Sequence, residues 1–265
     1  VDSSDSWLGR LAEAVGATAG GFRPLGGRAW RLSAGGRQLV AKSGAGVLDE
    51  AEGLRRLAGI AGAPPVPEVV LAERDLLVTA WVEQAGRTHD QEEALGRMLA
   101  HLHSAPWPEW GGGSSWIGEC PVESSVSGDA TAFYGGRLLE LASRCGLEGD
   151  VAAVVARLSS LLPAGEPSLL HGDLWWGNVL WGADGRPWLI DPSVHGGCPE
   201  EDLAMLALFG ALPRRLLEAY QDMRPLPPGW EERVALFQLY PLLVHTVLFG
   251  GSYRERAQAG ARHYA

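Results

Sequence analysis

His171–Asp191 reads HGDLWWGNVLWGADGRPWLID. The stretch sets Asn178 between two aspartates, Asp173 and Asp191, and surrounds all three with strand-forming residues. NVLW and PWLID have the short apolar character of strands. GADGR between them carries Asp-Gly, among the strongest hairpin signals. A hairpin folds back on itself, so Asn178, just before the first strand, returns close to Asp191 at the end of the second. Asp173 lies five residues before Asn178, on a loop that reaches the same end.

Two oxygen ligands and a further carboxylate at one edge suit a hard divalent cation. Mg²⁺ takes one or two protein oxygens and fills its octahedron with phosphates and water. Asn178 and Asp191 are the candidate ligands, which leaves Asp173 to accept a proton from a substrate hydroxyl. That is the logic of phosphoryl transfer. The spacing of His171, Asp173 and Asn178, H-x-D-x-x-x-x-N, is that of the kinase catalytic loop. Asp191 then takes the place of the metal-binding aspartate of the DFG motif, with DPS standing where DFG would be. One such aspartate alone reads more readily as a turn residue or a loop cap. The full pattern, with a hairpin inside it, points to chemistry.

Phosphate needs a cation. Lys42 ends a strand and Glu50 follows eight residues later inside a helix, the pairing that kinases use at the α- and β-phosphates. Glu52 is a rival for the partner, since only one of the two can face the cleft. A lone strand-end lysine is ordinarily a solvated charge, so this signal gains its weight from the aspartates. The glycines of GGFRPLGGRAW would let backbone amides approach phosphate.

The surrounding chain divides by periodicity. Residues 7–17 read as a short helix, 28–33 and 37–42 as a hairpin joined by AGG, 47–60 as a helix, and VPEVVLA and DLLVTAWV as strands. Alternation places Gln38, Val40 and Lys42 on one strand face, and Leu39 and Ala41 on the other. From THDQEEALGRMLAHLHS onward the character is helical, with Thr88 and Gln91 at capping-box spacing. Further helices are expected at 129–145, 149–162, 200–222 and 231–249. Residues 105–128 lack periodicity and read as a long loop. The outline is α+β: a β-rich N-terminal lobe over 1–80, a hinge at 81–84 and a mainly helical lobe over 85–265.

Composition narrows the function classes. The net charge of −10 would repel nucleic acid and anionic membranes. The longest apolar stretch, LYPLLVHTVLFGG, is too short to span a bilayer. Cys120, Cys145 and Cys198 are odd in number and widely spaced, without a CxxC pair, and suit free thiols in the cytosol. VDSSDSWLGR lacks a basic start followed by an apolar run, so no signal peptide is expected. His245 sits on an apolar helix, where it reads as a core histidine or as an acceptor contact. Most of the eleven tryptophans read as packing residues, with Trp107, Trp110 and Trp116 pinning the long loop. Trp175 and Trp176, beside Asp173, are expected to point outward.

The sequence resembles the fructosamine (ketosamine-3) kinases, within the aminoglycoside phosphotransferase-like, protein-kinase-like group. HGDLWWGNVLW, IDPSVHGGCPEEDLAMLALFG, LYPLLVHTVLFGGSY and LVAKSGAGVLDEAEGLRRLA carry the resemblance, with SSWIGECPVE and FYGGRLLELA less closely. It implies a protein-kinase-like two-lobe fold, ATP with Mg²⁺, and phosphorylation of a ketosamine hydroxyl, typically O3, which promotes deglycation. It implies Asp173 as base, Asn178 and Asp191 as metal ligands, Lys42 and Glu50 as the phosphate-binding pair, and Ala80, Trp81 and Val82 as the adenine-holding hinge. Trp175 would lie against the sugar, His171 would brace the loop, and Asp202 would steady it from the next helix. Departures at Trp176, His195, Ala80 and Pro121–Ser124 cluster at the hinge and acceptor side, so substrate choice is less determined than reaction type. The alternatives are an aminoglycoside- or choline-type phosphotransferase and a nucleotide-binding pseudokinase. Against the last, neither lysine, base nor metal ligand is missing.

Overall fold

The computed structural model describes residues 4–265, so the start of VDSSDSWLGR, and with it the start of the expected N-terminal lobe, lies outside the described residues. The N-terminal part runs α1 (Ser4–Val15), β1 (Ala19–Gly26), β2 (Ala29–Ala34), β3 (Arg37–Ser43), α2 (Val47–Ala58), β4 (Val69–Glu73) and β5 (Leu76–Ala80). The strands form an antiparallel sheet in the order β1-β2-β3-β5-β4. Alternation works on β3 as the sequence predicts. Leu39 and Ala41 are buried with Leu11, Leu32 and Val78, and Val40 and Lys42 face the opposite side. Register places Lys42 between Ala29 and Leu77, near the end of the strand.

After the connector come α3 (His89–Leu102), β6 (Trp110–Gly111), β7 (Trp116–Ile117), β8 (Cys120–Pro121), β9 (Val126–Ser127), α4 (Ala130–Cys145), α5 (Glu148–Val155) and α6 (Leu158–Leu161). The site-bearing region is β10 (Ser168–Leu170), β11 (Val179–Trp181), β12 (Pro187–Leu189) and β13 (His195–Gly197). The chain closes with α7 (Pro199–Leu206), α8 (Arg214–Met223), α9 (Trp230–Phe237), α10 (Leu239–Phe249) and α11 (Ser252–Tyr264). The predicted capping box is present: Gln91 N–H donates to Thr88 Oγ1, and the Gln91 side chain accepts from the Thr88 amide. None of the described helices is long and apolar enough to cross a membrane.

Three sequence expectations are corrected, and one helix was missed. Residues 105–128 are not a plain loop: β6 and β9 extend a sheet of order β10-β13-β6-β9, and β7 pairs with β8. Such strands are too short to show periodicity. The helix expected over 200–222 breaks after Leu206, passes through a 3₁₀ turn at Ala207–Phe209 and restarts at Arg214, because Gly210 and Pro213 interrupt it. The segment over 149–162 divides into α5 and α6. The helix α11, rich in Arg, Glu and Gln, was not foreseen, since it buries only Ala257, Ala261 and Tyr264.

Packing joins the halves. Val47, Ala51, Leu54 and Leu57 of α2 share one apolar cluster with Leu95, Leu99, Leu174, Val179, Leu189 and Leu216. Thus α2 rests on the motif region as well as on its own sheet. A second large cluster knits α4, α5 and α9–α11 together. At the crossing of α3 and α8 the backbones nearly touch: a Cβ on Gly96 would lie 2.1 Å from the Leu216 carbonyl oxygen.

That contact yields a signed prediction. Alanine normally stabilises a helix interior by about 0.5–1 kcal/mol over glycine. Gly136→Ala, at an exposed α4 position with open space around the new methyl, is expected to gain that amount. Gly96→Ala is expected to lose about 1–3 kcal/mol, because backbone must move. Chemical denaturation of both variants checks it, and equal shifts would refute the close approach.

Candidate active site

The floor of the site is a buried carboxylate. Asp202, 1% exposed on α7, accepts the backbone N–H groups of His171 at 2.8 Å and Gly172 at 2.9 Å, and faces His103 Nε2 at 3.2 Å. Burial pushes this carboxyl up, but the bond from His103 and the surrounding histidines and amides outweigh it and hold it below the ordinary carboxylate range. His171, fully buried, donates from Nε2 to the Ile190 carbonyl at 2.9 Å and accepts the Asp173 amide at Nδ1, 3.3 Å away. Both ring nitrogens are used as a neutral imidazole uses them, and burial lowers the ring's pKa accordingly. Gly172 admits no side chain: its φ is +80° and a Cβ would meet the Ser193 carbonyl oxygen at 1.9 Å.

On this floor the hairpin forms as the sequence predicts, with Val179 opposite Leu189 and Trp181 opposite Pro187. It brings the three polar residues together. Asn178 Nδ2 donates to the Asp173 carbonyl at 2.8 Å and approaches its carboxylate at 3.2 Å. Asp191 adopts φ +54°, the one left-handed conformation of a non-glycine among the described residues. Such conformations persist where surrounding contacts over-determine them. Its carboxylate lies 3.2 Å from Lys42 Nζ, so the two lobes meet across an ion pair.

Lys42 resolves the rivalry between the two glutamates. Its ammonium lies 2.6 Å from Glu50, whereas Glu52 turns outward to Arg56 at 2.9 Å. Burial pulls Lys42 down, but Asp191 and Glu50 together raise it, so it holds its charge. Burial, reinforced by Asp191, pushes Glu50 up against the pull of Lys42. Burial is also the main reason that Asp173 is pushed up to about 7. The charge of Asp191 adds to this, while Asn178 and Lys42 oppose it.

A cleft of about 380 Å³ lies between Val40, Lys42, Leu77, Leu180 and the connector after β5. Ala80, Trp81 and Val82 all border it. Their backbones are not equivalent. Ala80 N–H is bonded to Glu68 and Trp81 N–H to Gln38, while the Val82 amide makes no bond among the described residues. The Trp81 indole faces away, under the Arg31 guanidinium at 4.1 Å and bonded to Glu83. A neighbouring cleft holds Gly26, Gly27, Lys42, Asp173, Asn178 and Asp191 together, so the glycine turn of β1–β2 faces the same space.

The donor set fits a hard cation. Asn178 commits its amide nitrogen to Asp173, which leaves its carbonyl oxygen, and Asp191 presents a 43% exposed carboxylate to the same cleft. Two such oxygens match the demand of Mg²⁺ for few protein ligands.

Beside Asp173 the two tryptophans differ. Trp175 is 39% exposed, with its ring edge-to-face with Phe209 at 5.8 Å. Trp176, expected to point outward, instead stacks on Trp181 at 6.3 Å with Arg87 over it at 4.6 Å. The 3₁₀ turn that starts at Trp176 rotates it onto the hairpin. His245 borders a small pocket with Asp173, Gly172 and Tyr240, and its Nδ1 donates to Pro241 at 2.6 Å.

Several residues escaped the sequence reading. Ser193 Oγ holds the Trp116 carbonyl at 2.8 Å, and Asp49 accepts the Ser115 amide at 2.7 Å, so the 105–128 segment is tied to both lobes. Arg137, buried, donates to His195 Nε2 at 3.0 Å and to Glu201 at 3.3 Å, which leaves His195 Nδ1–H for the Ser193 carbonyl. Asp49 is a helix-start acid by sequence, and nothing local announces its distant partner. For Arg137 the signal was available: an arginine at helical spacing from Phe133, Tyr134 and Leu141 on the buried side of α4.

Comparison with known proteins places the chain in a family. A family model described as fructosamine kinase matches residues 41–264. A protein of Synechocystis named "Probable ketoamine kinase" is 36% identical over 202 residues, 71% of this chain and 66% of that protein. One of the same name from Klebsiella aerogenes is 35% identical over 253 residues, 87% of this chain and 86% of its own. The crystal structure of a fructosamine-3-kinase candidate from Thermobifida fusca superposes with a TM-score of 0.89 at 34% identity, covering 100% of this chain and 99% of that one. A choline kinase of Streptococcus pneumoniae, at 16% identity, superposes with a TM-score of 0.70 over 100% of this chain and 99% of its own, and shares the kinase-like fold. Matched by the family model over 41–264, this chain belongs to the fructosamine kinase family.

Proposed function

We propose that the protein transfers the γ-phosphoryl group of ATP, with Mg²⁺, to a sugar hydroxyl of a ketosamine such as fructosamine or ribulosamine. The hydroxyl is O3, and its phosphorylation promotes release of the amine. The observation that carries this reading is the meeting of Asp173, Asn178, Asp191 and Lys42 at the mouth of one cleft. The free thiols of Cys120, Cys145 and Cys198 accord with action in the cytosol.

In this mechanism the adenine sits in the apolar cleft, with the Val82 amide free to bond its edge. Lys42, held between Glu50 and Asp191, directs its ammonium at phosphate oxygens. Asp173 takes the proton of the acceptor hydroxyl as that oxygen bonds to the γ-phosphorus. The bond from the γ-phosphorus to the bridging β-oxygen breaks, and its electron pair leaves with ADP. Asn178 fixes the Asp173 carboxylate while its carbonyl oxygen, with Asp191, would hold Mg²⁺. When bound, that ion supplies charge neutralisation along the phosphates. The elevated pKa of Asp173, near 7, suits a group that must gain and lose a proton near neutrality. Trp175, exposed beside the base, lies against the sugar.

Two variants test the roles. Asp173→Asn keeps the shape but is a poor proton acceptor. Turnover is expected to fall by about 10²–10⁴, with ATP affinity by calorimetry maintained. Near-normal kcat would remove Asp173 from the role of base, and absence of ATP-dependent phosphorylation of any ketosamine by the wild-type protein would overturn the function itself.

Trp175→Ala is expected to raise the acceptor KM about tenfold, the loss of one ring contact worth ~1.4 kcal/mol, with little change in the KM for ATP. Trp176→Ala should instead lower the melting temperature, because its ring is packed between Trp181 and Arg87. Kinetics and a thermal melt on both variants check the contrast, and an unchanged acceptor KM for Trp175→Ala would exclude the stacking role.

A further inference from the structure

Five rings form a continuous strip that starts beside Asp173 and runs outward. Trp175 meets Phe209 at 5.8 Å and Phe209 meets His245 at 5.6 Å. His245 meets Phe249 at 5.7 Å and Tyr253 at 4.8 Å, and these last two lie 6.0 Å apart. The strip is assembled from four separate pieces of chain: the motif loop, the 3₁₀ turn after α7, α10 and α11. Gly250 and Gly251, at φ +61° and +58°, end α10 and start α11 at once, which gathers Phe249 and Tyr253 together against His245.

Its exposure is out of keeping with packing alone. Among the described residues the exposed large aromatics are Phe22, Trp175, Phe209 and Phe249, and three of these four belong to the strip. Phe209 is 41% exposed and Phe249 67%. An exposed aromatic cluster contiguous with a polar site marks a ligand surface more often than a folding residue.

The strip contains neither carboxylate nor ammonium. His245 uses Nδ1 to donate to Pro241, and its Nε2 has no partner among the described residues. The nearby charge acting on His245 is that of Arg256, a cation. These five side chains carry no formal negative charge, so a polycationic acceptor would gain only ring-face contacts here. What they reward is an apolar, flat group.

Resting on the ketosamine reading above, we propose that this strip is the subsite for the substituent on the ketosamine nitrogen, and that it selects apolar and aromatic amines. Continuity with the acceptor site assigns the occupant: His245 borders the same pocket as Asp173 and Gly172, and Trp175 follows Asp173 by two residues. A sugar whose hydroxyl is at Asp173 carries its amine away from the base. The strip is the aromatic surface that begins there.

The test uses two fructosamines, N-(2-phenylethyl) and N-ethyl, which share the sugar and the cationic nitrogen and differ by one phenyl ring. Steady-state KM and calorimetric affinity are measured for both with the intact protein. The phenylethyl compound is expected to show a KM and a Kd lower by about tenfold, with similar kcat. Phe249→Ala and Phe209→Ala should bring that ratio to within about threefold of one. Met223→Ala, an exposed residue of α8 outside the strip, should keep it. A wild-type ratio near one, or a ratio that survives both strip substitutions, overturns the proposal while leaving the phosphoryl-transfer reading intact. Selective binding that Phe249→Ala abolishes, without turnover of either compound, upholds the strip and overturns the reaction. Neither binding nor turnover overturns both.

Discussion

One buried carboxylate organises the site. Asp202 on α7 is the acceptor for the two backbone amides at the start of the HGD turn, and it is paired with His103, the residue that caps the end of α3. A charge removed from water this fully is tolerated only when its lone pairs are occupied, and here three donors occupy them. The consequence is geometric. The turn cannot shift without exposing Asp202 unpaired, so His171 is held with both nitrogens engaged and Asp173 emerges in a fixed direction. From that direction follow its bond to Asn178 and its distance from Asp191.

The second constraint is electrostatic and runs between the lobes. Lys42 belongs to the sheet, Glu50 to α2 and Asp191 to the far end of the hairpin, yet the ammonium touches both carboxylates. Apolar contacts support the arrangement. The buried face of α2 shares a cluster with Leu174, Val179 and Leu189 of the motif region. Thus α2, which carries Glu50, is seated on the same core that seats Asn178. The 105–128 segment adds ties to α2 through Asp49 and to the strand after Asp191 through Ser193. A stretch that looks structureless in sequence works as a strap across the cleft.

The surface proposed for the acceptor is built from less tightly determined parts. The turn that carries Asp173 rests on buried hydrogen bonds, whereas Trp175, Phe209 and Phe249 remain exposed and are linked by ring contacts that run through His245. Such surfaces tolerate substitution without loss of fold, which is where substrate choice within a common reaction is expected to vary.

The sequence by itself determined the chemistry-bearing core. Spacing along one chain segment, a strong Asp-Gly turn and strand alternation are local signals, so the meeting of Asp173, Asn178 and Asp191 and the cleft-facing side of Lys42 were legible in it, as were the Thr88 cap and the order of sheet before helices. The tertiary structure decided what depends on partners distant in sequence. It chose Glu50 over Glu52, because only one points across the cleft. It left the Val82 amide without a bond among the described residues, because strand pairing consumes those of Ala80 and Trp81. It turned Trp176 inward and left Trp175 outward, because a 3₁₀ turn starting at Trp176 parts two side chains that share only their nearness to Asp173 in sequence. Two-residue strands, a helix broken at glycine and proline, and an aromatic strip gathered from four pieces of chain leave no period to read. They exist only when remote segments supply the missing bonds and surfaces.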